Sequence, residues 1–156
     1  MKERAFDTIV IGTGPAGEGA AMKLAKTGQQ IAVIEAHDQV GGGCTHWGTI
    51  PSKALRHSIQ MLADYRRSPL FHRTKDQVEV EFPDLLKAAD SVIDKQVRTR
   101  YRYYQRNRVE VIFGRARFVD PHHVEVLRPD GVADLLRAEH FVIATGSRPY
   151  HPPDLD

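Results

Sequence analysis

The stretch that decides the fold is residues 5–35, AFDTIVIGTGPAGEGAAMKLAKTGQQIAVIE, in a chain of 156 residues. At its centre lies a GxGxxG motif, Gly12-Thr13-Gly14-Pro15-Ala16-Gly17. The apolar run before the motif predicts a buried strand at residues 5–11. The segment after it predicts a helix at residues 15–27, with a glycine at its end, and a second buried strand at residues 31–34. A strand, a helix and a strand in this order form a βαβ unit, so we expect the two strands to be parallel.

Each part of this unit suits the binding of a dinucleotide. Gly12 permits a tight turn, Gly14 lets the backbone approach a pyrophosphate, and Gly17 lets the helix pack closely on the strand. Pro15 and Ala16 begin the helix, whose free N–H groups face the phosphates. Glu35 follows the second strand, where it accepts hydrogen bonds from both hydroxyls of a ribose and repels a 2′-phosphate. FAD or NAD is therefore expected rather than NADP. The alternative, a glycine turn with a solvated glutamate, is disfavoured because every feature is in register.

The rest of the chain reads as helices followed by short strands. We expect a helix at residues 52–67 after a glycine-led loop, a polar loop at 68–81 and a long helix at 84–106. Three short strands of an antiparallel meander are predicted at 109–113, 116–119 and 123–127, with turn residues between them. A final buried strand is predicted at 140–144. Residues 148–156 are rich in proline and resemble a connector to something absent.

The long helix carries a cluster of arginines and tyrosines that has two interpretations. Its apolar residues form one stripe: Leu85, Leu86, Ala89, Val92, Ile93, Val97, Tyr101 and Tyr104. The arginines, among them Arg98, Arg100, Arg102 and Arg106, come late, where cations suit the helix dipole. A nucleic-acid patch is the alternative, but the tyrosines lie largely on the stripe. We therefore interpret the arginines as a solvated face.

Composition limits the other classes of protein. The net charge of +2 gives no sign of a nucleic-acid partner. Cys44 is the single cysteine, so no disulfide forms within the chain, and no zinc site with several thiolates is possible. The eight histidines show no metal-binding spacing, so no metal is expected. No apolar run reaches the length of a membrane span, and a cytoplasmic location is expected.

A second motif, GGGCTHWGTIPSK at residues 41–53, is the most specific segment of the chain. It resembles the redox-active segment of the flavoprotein disulfide reductases, in which a glycine-led CxxxxC is followed closely by Pro-Ser-Lys. Cys44 stands at the first cysteine position, and Thr49 stands at the second. A threonine hydroxyl forms no disulfide, so local dithiol chemistry is excluded.

One branch of that family, the soluble Si-specific pyridine nucleotide transhydrogenases, fits this loss. GGGCTHWGTIPSKALRH at 41–57 and FVIATGSRPYHP at 141–152 are similar to that branch. The resemblance implies non-covalent FAD, with hydride passing from NADPH through the flavin to NAD⁺. It also implies a homo-oligomer at full length. Residues 1–156 would be the N-terminal part of a Rossmann-like α/β FAD-binding domain, which has a parallel sheet, inserted long helices and a small antiparallel meander. The NAD(P)-binding and dimerisation domains would be absent here, and this part alone would be inactive.

The resemblance also implies roles for single residues. It places the glycines of the first motif at the FAD pyrophosphate and Glu35 at the adenosine ribose. It places the flavin beside four residues of the second motif, namely Gly42, Gly43, Cys44 and Thr49. Lys53 corresponds to the catalytic lysine near flavin N5, where a cation stabilises negative charge on the reduced ring. Ala116 corresponds to a backbone contact with the adenine, and Thr145 and Gly146 to a turn that closes over the cofactor.

Three questions stay open at this point. A disulfide or metal-ion reductase is an alternative that needs a second thiol from elsewhere. A nucleotide-binding module without turnover is another. His46 and Trp47 lie in the second motif, where contact with the flavin or a nicotinamide and simple packing are equally compatible with the sequence.

Overall fold

The computed structural model describes residues 4–74, 76–148 and 150–153. Its helices are α1 (Pro15–Ala25), α2 (Gly42–His46), α3 (Thr49–Arg67) and α4 (Phe82–Arg106), with a 3₁₀ turn at Pro69–Phe71. Its strands are β1 (Arg4–Ile11), β2 (Ile31–Glu35), β3 (Glu110–Phe113), β4 (Arg115–Asp120), β5 (His123–Leu127) and β6 (Ala133–Ile143). The expected α/β fold is confirmed.

One sheet of six strands, in the order β3-β2-β1-β6-β5-β4, organises the described residues. Strand β1 pairs in parallel with β2 and with β6, as the βαβ pattern predicts for the first pair. Strand β5 is antiparallel to both β4 and β6. Strand β6 belongs to both parts of the sheet, because residues 133–137 pair with β5 and residues 136–143 pair with β1.

Two strand predictions at the end of the chain were wrong. Strand β3 is not part of the meander but pairs in parallel with β2. The chain leaves the parallel part of the sheet at Gly114, whose φ of +156° favours glycine over other residues. The first half of β6 supplies the third strand of the meander. The final strand is also longer than residues 140–144 and is not fully buried, since Ile143 is 66% exposed. Short apolar runs show that a strand exists but not which neighbour it pairs with.

The core lies on both faces of the parallel strands. Successive residues of β1 point to opposite faces, so Ile9 packs toward the meander and Val10 toward the helices. All five residues of β2 are buried, as expected for a strand that is covered on both sides. On the helix side, Ala21 of α1 and Tyr104 of α4 share a cluster with Val33. The parallel strands are thereby held rigid up to their carboxyl ends, where the motifs lie.

The second motif is more regular than the predicted loop. Gly41 makes the turn with a φ of +122°, α2 begins at Gly42, and α3 begins at Thr49, three residues before the predicted start. Short glycine-rich helices lack the apolar periodicity that reveals longer ones. The second motif therefore consists of a short helix and the start of a longer one, with Cys44 on α2 and Thr49 on α3.

The long helix begins with a capping box, in which the Glu81 and Asp84 side chains each accept a backbone N–H from the other residue. The solvated-face interpretation was wrong for Arg100, whose side chain is only 16% exposed. Arg98, Arg102 and Arg106 are exposed, as expected. The apolar stripe did not reveal the exception, because Arg100 pairs with a residue on another helix.

Part of the predicted connector, namely residue 149 and residues 154–156, lies outside the described residues. Arg148 and residues 150–153 belong to no helix or strand. Among the helices that the structure describes, none is both long enough and apolar enough to cross a membrane.

Candidate dinucleotide site

Two glycines of the first motif are required by the packing of the protein itself. Gly12 has a φ of +104°, and a Cβ placed on it would collide with the carbonyl oxygen of Ala144. A Cβ on Gly17 would collide with the carbonyl oxygen of Gly12. The N–H of Gly12 donates to the Ile34 carbonyl over 2.8 Å, which ties the start of the turn between β1 and α1 to the neighbouring strand β2. The turn is thus defined by backbone contacts on both sides.

Gly14 is different, because nearly open space surrounds it. A Cβ on Gly14 would meet only the Cα of Gly42, at 4.0 Å, which is an ordinary contact. The protein's own packing therefore does not explain a glycine here. Gly14 instead leaves the backbone ahead of the first turn of α1 open to close approach.

The two motifs touch each other at their glycines. Gly42 has a φ of +61°, and a Cβ on it would lie 2.7 Å from the Cα of Gly14. The start of α2 is consequently pressed against the turn that begins α1. Residues that the sequence assigns to the pyrophosphate and to the flavin loop share one surface in the structure.

A hydrogen-bond network around Glu35 joins the loops at this surface. The Thr13 hydroxyl and the Thr13 N–H both donate to Oε2 of Glu35, the N–H over 3.0 Å. The N–H of Gly41 donates to the Thr13 hydroxyl oxygen over 3.0 Å. Oε1 of Glu35 accepts the N–H of His37 over 3.0 Å. Glu35 as a residue is only 4% exposed, so these donors replace the water that its carboxylate loses.

The pattern of donors decides which oxygen of Glu35 is available to a ligand. Oε2 already accepts two hydrogen bonds and Oε1 accepts one. Since a carboxylate oxygen has about two acceptor positions, one position on Oε1 remains.

Several residues of this network were missed by the sequence analysis. Thr13 was treated as a variable position of the motif, and Gly41 and His37 contribute only backbone N–H groups. The sequence did offer one signal for the hydrogen bond between Thr13 and Glu35, namely a threonine between the first two glycines together with an acid after the second strand. Backbone donors leave no signal in the side chains.

The predicted flavin side begins on α2 and continues on α3. Cys44 is half-buried on α2 and has no disulfide partner. Thr49 begins α3 and is exposed, and Lys53 follows one turn later on the same helix face, also exposed. The side chains of Thr49 and Lys53 therefore project from the N-terminal turns of α3.

His46 and Trp47 differ in how firmly they are held. The His46 ring makes a hydrogen bond of 3.0 Å to the Val40 carbonyl, which gives it a packing role. Trp47 is 62% exposed, with its ring centroid 5.0 Å from that of His37 in an edge-on arrangement. His46 thus supports the loop before α2, whereas Trp47 keeps most of its surface free.

The remaining predicted residues lie next to the first motif. The N–H of Gly114 donates to the Glu35 carbonyl over 2.8 Å, and Ala116 follows two residues later on β4, half-buried. The N–H of Ala144 donates to the Ile11 carbonyl over 2.8 Å, and exposed Thr145 and Gly146 come directly after it. These residues gather at the carboxyl ends of parallel strands, where open α/β sheets bind ligands.

Two cavities lie away from the two motifs. One of about 370 Å³ lies at the edge strand β3, and one of about 350 Å³ lies near Gly28 and His140. Neither is lined by a residue of the two motifs. Within residues 4–74, 76–148 and 150–153, no three histidine, cysteine or acidic side chains are placed to hold a metal ion together.

Comparison with known proteins decides the family. The model of the family described as pyridine nucleotide-disulphide oxidoreductase matches residues 6–156. The chain belongs to this family. As a pyridine nucleotide-disulphide oxidoreductase chain, it carries both motifs, but Thr49 stands at the second cysteine position of CxxxxC.

Relatives of this family member include proteins named soluble pyridine nucleotide transhydrogenase. The protein from Hamiltonella defensa is 55% identical over 151 residues, and that from Pseudomonas putida is 52% identical over 151 residues. Each match covers 97% of this chain and 32% of the relative. The chain therefore spans about a third of the length of the curated relatives it matches.

Solved structures of flavoprotein disulfide reductases share the fold of this oxidoreductase chain. The HOCl-induced flavoprotein disulfide reductase RclA from Escherichia coli, solved as a Cu(II) complex, is 27% identical with a TM-score of 0.78. That match covers 98% of this chain and 31% of the solved chain. A second structure of RclA is 26% identical with a TM-score of 0.73 and covers 94% and 29% of the two chains.

Proposed function

We propose that the protein carrying this chain is an FAD-dependent transhydrogenase that passes hydride from NADPH through the flavin to NAD⁺. In this proposal, residues 1–156 are the N-terminal part of the FAD-binding domain, with 148–156 as the connector to later domains. Relatives at 52–55% identity that are named soluble pyridine nucleotide transhydrogenase support the assignment. The same resemblance leads us to propose Si-specific transfer, non-covalent FAD, a homo-oligomer and a cytoplasmic location.

The observation that carries the proposal is the buried Glu35 carboxylate, with one acceptor position left on Oε1, beside the open backbone of Gly14. A dinucleotide needs both features, because its ribose requires an acceptor and its pyrophosphate requires close approach to backbone N–H groups. The residues present therefore fit FAD. Gly12, Gly14 and the first turn of α1 would hold the pyrophosphate, and Glu35 would hold the ribose.

The flavin supplies the hydride chemistry when it is bound. The chain's own contribution is to orient the cofactor and to place charge. Lys53, on the exposed face of α3, would place a cation where negative charge develops. Thr49 replaces the second cysteine, so Cys44 lacks a partner for a disulfide within this chain. We therefore propose that electrons do not pass through Cys44.

The first experiment is a visible absorption spectrum of the purified full-length protein, followed by chromatography of the cofactor released on heating. We expect a bound flavin spectrum and free FAD after heating, because the binding is non-covalent. NADPH-dependent reduction of a chromophoric NAD⁺ analogue would then be measured. A full-length protein without flavin would contradict the proposal at its first step.

The Cys44→Ser variant tests the path of the electrons. We expect transhydrogenation to stay within about twofold of the wild type, because serine fills the same half-buried position on α2. Loss of transhydrogenation with FAD still bound would contradict the proposal.

A disulfide reductase is the second candidate, favoured by the structural match to RclA, a flavoprotein disulfide reductase. It requires a thiol from outside this chain to pair with Cys44. NADPH-dependent reduction of a disulfide substrate that is abolished in Cys44→Ser would favour this candidate. We expect no such reduction.

A further inference from the structure

A partly buried ion pair joins the helix after the first motif to the long helix. Arg100 of α4 pairs with Glu18 in the first turn of α1, and the side chains are only 16% and 19% exposed. The N–H of Glu18 also donates to the Gly14 carbonyl over 2.9 Å. Glu18 therefore lies one turn from the backbone that we assign to the pyrophosphate, with Arg100 as its partner on a separate helix.

Two carboxylates and one guanidinium act on the buried Tyr104 beside this pair. Burial raises the pKa of the Tyr104 phenol above its ordinary value, and the nearby carboxylates of Glu18 and Glu35 raise it further, whereas Arg100 lowers it. Tyr104, one turn after Arg100 on α4, is fully buried. Arg100 is thus the cation paired with Glu18, in a neighbourhood that also holds Glu35.

An acid in the first turn of a helix stabilises the helix through the dipole, but it competes with an anionic ligand for the same positive end. The pyrophosphate of a dinucleotide carries negative charge and binds at that end. An unpaired Glu18 would therefore weaken binding, because like charges repel in a partly buried setting. Pairing with Arg100 removes most of this repulsion.

We propose that Arg100 is a positioning residue for the cofactor, which neutralises Glu18 so that the N-terminal turn of α1 accepts a pyrophosphate. The inference rests on the proposed function, since it takes FAD as the ligand. It differs from a simple clamp between α1 and α4. If the pair only clamped the two helices together, loss of either charge would weaken FAD binding. If Arg100 compensates the charge of Glu18, loss of the Arg100 charge weakens FAD binding, whereas loss of the Glu18 charge does not.

The test compares Arg100→Met, Arg100→Lys, Glu18→Gln and the double variant Arg100→Met/Glu18→Gln in the full-length protein. The dissociation constant of FAD is measured for the flavin-free proteins by quenching of flavin fluorescence. Circular dichroism and thermal unfolding of the same samples show that each variant is folded. Arg100→Lys keeps the charge and serves as the conservative control.

We expect Arg100→Met to weaken FAD binding by about tenfold, the order expected of a charge at a partly buried helix terminus. Glu18→Gln should bind FAD as tightly as the wild type or more tightly, although it breaks the same ion pair. The double variant should recover most of the loss, and Arg100→Lys should stay within about threefold of the wild type. If Glu18→Gln weakened binding as much as Arg100→Met, the clamp would be the correct account and the inference would be overturned.

Failure of the proposed function gives a different result. A wild-type protein that binds no FAD would overturn the proposed function and, with it, this inference. A wild type that binds FAD, with folded variants that bind it equally well, would overturn the inference alone. If Arg100→Met does not fold, Arg100→Gln removes the same charge with a polar side chain and takes its place. Weaker FAD binding in Arg100→Gln but not in Glu18→Gln supports charge compensation, and equal binding in the two variants overturns it.

Discussion

The Thr13 hydroxyl donates a hydrogen bond to the Glu35 carboxylate and accepts one from the N–H of Gly41. One side chain therefore joins the turn after β1, the end of β2 and the loop before α2. The dinucleotide-binding pattern of the sequence includes the turn after β1 and the acid at the end of β2. It does not indicate that a side chain connects these two segments to the loop before α2. This arrangement fixes the orientation of Glu35 before any ligand binds, which reduces the cost of ordering the site.

Removal of the Thr13 hydroxyl should loosen this junction. In Thr13→Val, the shape is nearly kept, but Glu35 loses a donor and the Gly41 N–H loses its acceptor in a buried site. We expect the free energy of unfolding of the flavin-free protein to fall by about 1–3 kcal/mol, measured by urea denaturation. Thr13→Ser keeps the hydroxyl and should lose less than half of that amount. Equal stability of Thr13→Val and the wild type would show that the network adds nothing.

The contact between Gly42 and Gly14 should affect FAD binding beyond the stability cost of a positive φ. Gly42→Ala and Gly28→Ala both place a side chain at positive φ, +61° and +81°, which costs roughly 1–2 kcal/mol of stability. Only Gly42→Ala also pushes its Cβ against the Cα of Gly14, since a Cβ on Gly28 meets nothing within 4 Å. We expect Gly42→Ala to weaken FAD binding by about tenfold or more, or about 1.4 kcal/mol.

Gly28→Ala is the matched control for that experiment and should bind FAD like the wild type. The measurement is the FAD dissociation constant of the flavin-free protein. Two equal dissociation constants would mean that the contact between Gly42 and Gly14 does not shape the binding surface.

The sequence predicted the features that depend on neighbouring residues and missed those that depend on residues far apart in the chain. The first βαβ unit was predicted almost to the residue because its strands, helix and turn obey local rules of periodicity and glycine conformation. The partner of β3 was not, since parallel pairing with β2 depends on the path of α3 and α4. The roles of Thr13 and Arg100 were missed for the same reason. Each acts through a residue more than 20 positions away in sequence.

The buried hydroxyl of Tyr104 should cost the protein stability. Tyr104 is fully buried, and its hydroxyl has no hydrogen-bond partner among the described residues. Tyr104→Phe removes an unsatisfied polar group and keeps the ring, so we expect the free energy of unfolding to rise by about 1 kcal/mol at neutral pH. A loss of stability would show that the hydroxyl has a partner in solution.

The same residue predicts the alkaline behaviour. The pKa of Tyr104 is raised in the folded protein, chiefly by burial and then by Glu18, above its ordinary value of about 10. The folded state therefore holds the proton where the unfolded state has released it. The free energy of unfolding is therefore unaffected by this ionisation below about pH 10 and falls as the pH rises further. Tyr104→Phe should show a smaller loss of stability than the wild type between about pH 9.5 and 11, in urea denaturation at each pH.

Lys53 is the residue whose chemistry is most directly open to test. It lies on the exposed face of α3, one turn after Thr49, at the position that the family resemblance places near flavin N5. A cation there would stabilise the negative charge of the reduced ring. Lys53→Met should therefore slow reduction of bound FAD by NADPH on the order of 10- to 100-fold, somewhat less than the loss of a buried oxyanion donor. The measurement is stopped-flow absorbance of the flavin in the full-length protein.

Two variants separate this role from a general effect of charge on α3. Lys53→Arg keeps a cation and should recover most of the rate. Arg56→Met removes an exposed cation three residues further along the same helix and should leave flavin reduction within about twofold of the wild type. If Lys53→Met and Arg56→Met reduced their flavins equally fast, Lys53 would be an ordinary solvated lysine. If both were equally slow, the net charge of the helix would be responsible rather than the position of Lys53.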